Sequence, residues 1–498
     1  MLYTSTRDAS LRITSAEAIT RGISADGGLF VPCETPKIDE AFLAKLVEMS
    51  YTDRAKAILK LYLTDFDPAE IDACVDAAYA PGKFSSADVA PVVTLHDNVN
   101  VLELWHGPTC AFKDMALQLL PHLLKASAAK TLRDKKIVIL VATSGDTGKA
   151  ALEGFRDVEG TNIVVFYPNS GVSPMQQKQM QTQEGANVGV CAVNGNFDDA
   201  QTGVKAIFTD PAVKRLFDEK GYVFSSANSI NWGRLVPQIV YYFSAYADMV
   251  RQGKITLGDE INFVVPTGNF GNILAANYAV NMGLPVRKLI CASNANNVLT
   301  DFITTGVYDR NRQFYMTVSP SMDILISSNL ERLIFALSGE DDAAVRTLYD
   351  ALKKTGRFDV GQATGDRIRA LYAAGCCDDA ATKRTIRETF EKHQYLCDTH
   401  TAVAVRVYED YRAKTGDQTP AVIDSTASPY KFCTSVVEAL GETVDGDDFA
   451  MLEKLEAITG IAAPAQLAGL RDKAIRFEGV CERNVDDMRA VIQRSLGL

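Results

Sequence analysis

The sequence predicts an α/β fold with two open, mostly parallel sheets and flanking helices, plus a mainly helical N-terminal region and a helical insertion. Three observations lead there. Short apolar runs rich in β-branched residues lack the alternation of half-exposed strands, as strands buried on both faces do. Helix-like stretches separate those runs over most of the chain. Several of the stretches open on recognisable caps.

Taken in order, residues 1–96 show no succession of buried strands and read as a mainly helical cap, with Asp67-Pro-Ala-Glu70 announcing one helix start. Met115 to Leu124 reads as a helix. The runs Lys136–Ala142, Asn162–Pro168 and Asn187–Val193 read as buried strands, as do Ile261–Pro266, Lys288–Ser293 and Ala421–Asp424. Ser173-Pro-Met-Gln176 supplies a capping serine, proline at the first helical position and glutamine at the third. Residues 329–395 carry helical patterns without a buried strand and read as an insertion. These readings divide the chain into a cap (1–96), a larger α/β unit (97–135 with 228–498) and a smaller α/β unit (136–227).

Composition bounds the function. The chain has 498 residues, 47% apolar and 23% charged, as expected of an ordinary globular protein. Lys and Arg total 51 against 62 Asp and Glu, a net charge of −11, which argues against a nucleic-acid partner. An anionic substrate must then be drawn by local cations, because the global field repels it. The ten cysteines include no CxxC pattern, and neither they nor the five histidines have metal-ligand spacing. A reducing compartment, the cytoplasm, is expected, with no membrane association.

Four segments carry chemistry. In Leu104-Trp-His-Gly-Pro-Thr-Cys-Ala-Phe-Lys-Asp114, Lys113 follows a Gly-Pro turn among apolar neighbours. Such surroundings favour a neutral amine that can attack a carbonyl. In Phe263-Val-Val-Pro-Thr-Gly-Asn-Phe-Gly-Asn272 a buried strand runs through a glycine turn into a helix, where free amides suit a phosphate. In Val422-Ile-Asp-Ser-Thr-Ala-Ser428 small hydroxyl residues follow a strand, at the edge where open α/β sheets bind ligands. Ala142-Thr-Ser-Gly-Asp-Thr-Gly148 has the same strand-turn-helix form and suits a substrate anion. The plainer alternative for Lys113 is a surface lysine on an amphipathic helix, and for the other three segments it is turn formation or capping. His106 and His400 suit packing at least as well as acid–base work.

Together these segments resemble the threonine synthase family, pyridoxal-phosphate enzymes of the tryptophan synthase β-type fold (fold type II). The resemblance extends to Tyr3-Thr-Ser-Thr-Arg7, Asp26-Gly-Gly-Leu-Phe-Val-Pro32, Gly195-Asn-Phe-Asp-Asp199, Asn228-Ser-Ile-Asn-Trp-Gly-Arg234 and Ser319-Pro-Ser-Met-Asp-Ile324. It implies that pyridoxal 5′-phosphate is the cofactor and that Lys113 is the Schiff-base and catalytic lysine. It further implies that Gly268, Asn269, Phe270, Gly271 and Asn272 hold the cofactor phosphate and that Thr426 faces the pyridine nitrogen. Ser144, Gly145, Asp146 and Thr147 would bind substrate, with Arg234 the best-placed cation and Lys149 and Lys431 lesser candidates.

The implied reaction converts O-phospho-L-homoserine and water to L-threonine and phosphate, by γ-elimination and β-addition of water, in a monomer or homodimer. Four positions depart from the family pattern: Asp8 for glycine, Asn272 for aspartate, Thr399 for proline and Ser428 for histidine. A dehydratase or phospholyase would share the first chemical steps. A catalytically silent relative would be expected to lack the lysine or the glycines, and both are present.

Overall fold

The buried apolar runs assemble into two sheets. In the computed structural model, which describes every residue except Arg133, Ser144, Ser170 and Gly171 and all side chains but that of Asp198 besides, the larger sheet has six strands. Their order is Tyr372–Cys376, Val286–Ser293, Ile261–Pro266, Ala421–Ser425, Val99–Glu103 and Val92–His96, with only the last pair antiparallel. The smaller sheet has five parallel strands, in the order Val480–Glu482, Val188–Asn194, Thr161–Pro168, Lys136–Ala142 and Tyr222–Ser225. All six residues of Ile261–Pro266 are buried, as helices on both faces require. The expected caps are present: Asp67 and Glu70 form a reciprocal capping box, and Ser173 accepts the Gln176 amide.

Four features differ from the sequence reading. The N-terminal region has the expected helices, among them Tyr51–Tyr62 and Pro68–Ala78, but also a three-stranded antiparallel sheet of Tyr3–Ser5, Asp8–Ile13 and Phe30–Pro32. Two of those strands have three residues each, too short for a periodic signal. The helix expected from Met115 to Leu124 is two helices, Asp114–Leu117 and Leu120–Thr131. Pro121 has no amide to give the Leu117 carbonyl and its ring crowds that carbonyl, which favours a break there.

The insertion holds two strands. Arg357–Asp359 pairs with Val307–Asp309, and Tyr372–Cys376 becomes the edge of the large sheet. The sequence Tyr-Ala-Ala-Gly-Cys contains no β-branched residue, so pairing rather than propensity makes it a strand. Finally, Val480–Glu482 extends the smaller sheet and Val485–Leu496 packs on it, although the sequence reading grouped both with the larger unit. A three-residue edge strand carries no usable pattern of its own.

The strands ending at Ala142, Pro266 and Ser425 lead into the three turns singled out from the sequence. The carboxyl end of the large sheet therefore presents the glycine turn and Thr426 together.

Candidate active site

The segment before Lys113 folds around a buried carboxylate. Asp114 accepts the Thr109 amide at 2.8 Å and the Thr109 hydroxyl at 2.7 Å. A Cβ on Gly107 would lie 2.5 Å from the Asp114 side chain, so only glycine lets the loop close there. Burial pushes the Asp114 carboxyl up to about 6 despite those bonds. The loop is laced to the large sheet: Phe112 donates to the Thr426 carbonyl at 2.8 Å and Ser428 donates to the Cys110 carbonyl at 3.0 Å. Lys113 and Thr426 thus reach the same edge through backbone pairing.

Lys113 is 9% exposed. Its Nζ lies 3.5 Å from Asp146 Oδ2, 3.5 Å from Ser321 Oγ and 4.9 Å from the Phe112 ring centre. Burial lowers its pKa; Asp146 opposes the fall, while the cations Lys431 and Arg234 add to it. Asp146, expected among substrate contacts, spans two lysines, with Oδ1 2.9 Å from Lys431 Nζ and 3.1 Å from Gln176 Nε2. Burial works against its charge, but Lys431 and then Lys113 outweigh it and hold the carboxyl well below its usual range. Thr147 is half-buried beside it, Gly145 caps the same helix, and Ser144 lies outside the described residues.

The glycine turn offers unpaired donors. Phe270 adopts the left-handed conformation (φ 62°) and starts the helix Gly271–Met282 without a side-chain cap. Among the described residues, the amides of Gly268 to Asn272 have no acceptor. A Cβ on Gly268 would stand 2.7 Å from the Ser321 carbonyl, so the turn and the 319–324 segment close on each other. Below the turn, Asn272 donates to the buried Asp424 at 3.1 Å.

Arg234, on the first turn of the helix Trp232–Arg251, is buried with no carboxylate against it among the described residues. Its Nη1 donates to the Ala227 carbonyl and its Nε has no partner. Burial pushes its pKa down to about 10. The lesser cation candidates are engaged. Lys149 binds Glu153 at 3.1 Å and Gln183 at 2.6 Å, and Lys431 binds Asp146 and the Thr109 carbonyl.

Both histidines are structural in geometry. His106 Nε2 meets Glu103 at 2.8 Å, its Nδ1 meets Ser85 at 2.9 Å, and its ring stacks on Trp105. His400 Nδ1 donates to Asp398 at 2.8 Å and its Nε2 accepts the Ser321 amide at 3.1 Å. Thr399 begins a helix capped by Asp398, so the cap is intact without proline. Ser428 caps the following turn through the Tyr430 amide at 3.3 Å. Three participants escaped the sequence reading as individuals: Ser321, Gln176 and Asp424. An aspartate ending a buried apolar strand is itself a signal, since such residues are seldom fully buried without purpose.

A buried amine at a turn, five free amides at a glycine loop and an uncompensated guanidinium fit a phosphorylated aldehyde cofactor and an anionic substrate. The middle of the chain, residues 93–423, matches the family model described as pyridoxal-phosphate dependent enzyme. Residues 2–79 match threonine synthase N terminus and residues 401–492 match threonine synthase, C-terminal. The chain belongs to the threonine synthase family. As a pyridoxal-phosphate-dependent enzyme of that family, it takes pyridoxal phosphate as its cofactor.

Among its relatives in the threonine synthase family, human threonine synthase-like 1 is 41% identical over 435 residues, covering 85% of this chain. The chain spans 58% of that human protein's length. Threonine synthase from Pseudomonas aeruginosa is 39% identical over 440 residues, covering 88% of this chain and 90% of the bacterial one. The pyridoxal-phosphate-bound threonine synthase of Brucella melitensis superposes with a TM-score of 0.89 at 36% identity, covering 99% of both chains. Among the described residues no helix is long and apolar enough to cross a membrane.

Proposed function

We propose that this chain is a threonine synthase, converting O-phospho-L-homoserine and water to L-threonine and phosphate in the cytoplasm. The observation that carries the reading is Lys113: its amine is buried within 3.5 Å of Asp146 and Ser321, close enough to the buried, uncompensated Arg234 to feel its charge.

In this reading the Lys113 amine would hold the cofactor and, as a neutral base, would take the α-proton and then a β-proton of the substrate. A lowered pKa suits it, because a neutral amine is needed to accept a proton. When bound, pyridoxal phosphate supplies the electron sink that allows those protons and the γ-phosphate to leave. The free amides of Gly268, Asn269, Phe270, Gly271 and Asn272 would hold the cofactor phosphate, and the Thr426 hydroxyl would serve the ring nitrogen. A neutral hydroxyl there does not favour a protonated ring as a carboxylate would. More of the proton handling then falls to Lys113. Arg234 takes the substrate phosphate, and Gly145 and Thr147 take its carboxylate.

Product analysis tests the function. The cofactor-loaded protein incubated with O-phospho-L-homoserine is expected to yield threonine and phosphate in equal amounts, and Lys113→Ala neither. Phosphate accompanied by 2-oxobutanoate and ammonia would mean an eliminating enzyme instead.

A further inference from the structure

A cavity of about 580 Å³ lies beside the active segment without including Lys113. It is bounded by Lys83, Pro108, Gln118, His122, Lys125 and the far end of the Asp146–Phe155 helix at Glu153. Its hydrogen-bonding groups are unevenly committed. The acids around it are engaged: Glu159 meets Lys125 at 2.8 Å, Glu153 meets both Lys149 and Arg156 at 3.1 Å, and Asp157 accepts the Ala186 amide at 2.7 Å.

Donors are left over. Gln118 is 3% exposed, and its Nε2 has no partner. Among the described residues Lys83 Nζ meets no carboxylate or other acceptor, and burial lowers its pKa. Among the described residues the His122 imidazole makes no hydrogen bond, and burial, with Lys83 and Lys125 nearby, pushes it down to about 4. A buried donor without an acceptor, as at Gln118, beside the half-buried Lys83 and His122, is a costly arrangement that an anion relieves.

We propose that this cavity is a binding site for a small solute bearing a carboxylate or a phosphate, its oxyanion held by Lys83, Gln118 and His122. The volume suits a small molecule, since ligand pockets span about 300–1,000 Å³. The site also abuts the catalytic segment. Pro108 belongs to the loop ending in Lys113, and Gln118 donates its amide to the Asp114 carbonyl at 2.9 Å.

The holoenzyme would be titrated at constant ionic strength with inorganic phosphate and, separately, with acetate. The His122 imidazole resonances, assigned through His122→Gln, would be followed by nuclear magnetic resonance. A bound anion should move the His122 titration upward toward its ordinary value, saturably, and the probe that acts distinguishes phosphate from carboxylate chemistry. Lys83→Met should weaken that binding about tenfold or more, as loss of one charge-assisted contact does, with kcat and cofactor absorbance unchanged. Lys83→Arg should retain it. No saturable movement of His122 with either anion, or undiminished binding in Lys83→Met, would overturn the proposal.

Discussion

Asn272 donates through Nδ2 to Asp424 Oδ2 at 3.1 Å, tying the glycine turn to the strand that leads to Thr426. The Tyr242 hydroxyl lies 2.7 Å from Asn272 Oδ1 and 2.8 Å from the same Asp424 oxygen. The Tyr241 hydroxyl also reaches Asn272 Oδ1, so that oxygen has two donors in reach and the Tyr242 proton can serve Asp424. Burial pushes the Asp424 carboxyl up to about 7, against the hydrogen bonds from Tyr242 and Asn272.

This pairing makes asparagine at 272 a matched choice. Asn272→Asp would set two buried carboxylates against each other directly under the phosphate turn. Cofactor affinity, read from absorbance during titration with pyridoxal phosphate, should fall about tenfold or more. Adding Asp424→Asn should restore it. Unchanged affinity in Asn272→Asp would contradict the role given to the pair.

Asp424 also gives a pH dependence. Its folded pKa, about 7, stands above the unfolded carboxylate value of about 4, so the folded state binds the extra proton in between. Its contribution is full below the unfolded value and is lost as pH rises through the folded one. The slope approaches about 1.4 kcal/mol per pH unit. Asp424→Asn removes this loss. Its Tm relative to wild type should therefore climb between about pH 4 and 7 and level off above, and a flat difference would rule the titration out.

His400 accepts the Ser321 amide at 3.1 Å and so positions the residue whose hydroxyl lies 3.5 Å from Lys113 Nζ. His400→Ala leaves that amide without an acceptor and should lower kcat about tenfold while bound cofactor is retained. His400→Gln can still accept from Ser321 and should recover most of the rate. Equal losses in the two variants would indicate packing alone.

Arg234 is buried with no carboxylate partner among the described residues, which suits it to a substrate anion. Arg234→Ala should raise KM for the phosphorylated substrate by about 10- to 100-fold, the worth of a charge-assisted contact, with bound cofactor unchanged. Wild-type kinetics would remove it from the site.

Much of this was legible in the sequence, for reasons of pattern. Continuous apolar runs marked Lys136–Ala142, Ile261–Pro266 and Ala421–Ser425, because strands covered on both faces need no polar side. Lys113 and the 268–272 turn stood out as local motifs. Tyr372–Cys376 and Val480–Glu482 did not, since each becomes a strand only through a partner strand distant in sequence. The break before Pro121 was written in the proline and overridden by the apolar periodicity around it. The links from Asp424 to Asn272 and from Asp146 to Lys431 join residues far apart in sequence, and no spacing rule reaches that far.

The central claim is that Lys113 bears the cofactor, and the structure supplies its own rival. Lys431 lies 2.9 Å from the same Asp146 carboxylate that stands 3.5 Å from Lys113. Borohydride reduction of the holoenzyme, followed by peptide mapping by mass spectrometry, fixes the cofactor to whichever amine holds it. The phosphopyridoxyl group is predicted on Lys113. Its recovery on Lys431, or on any other lysine, would contradict the account.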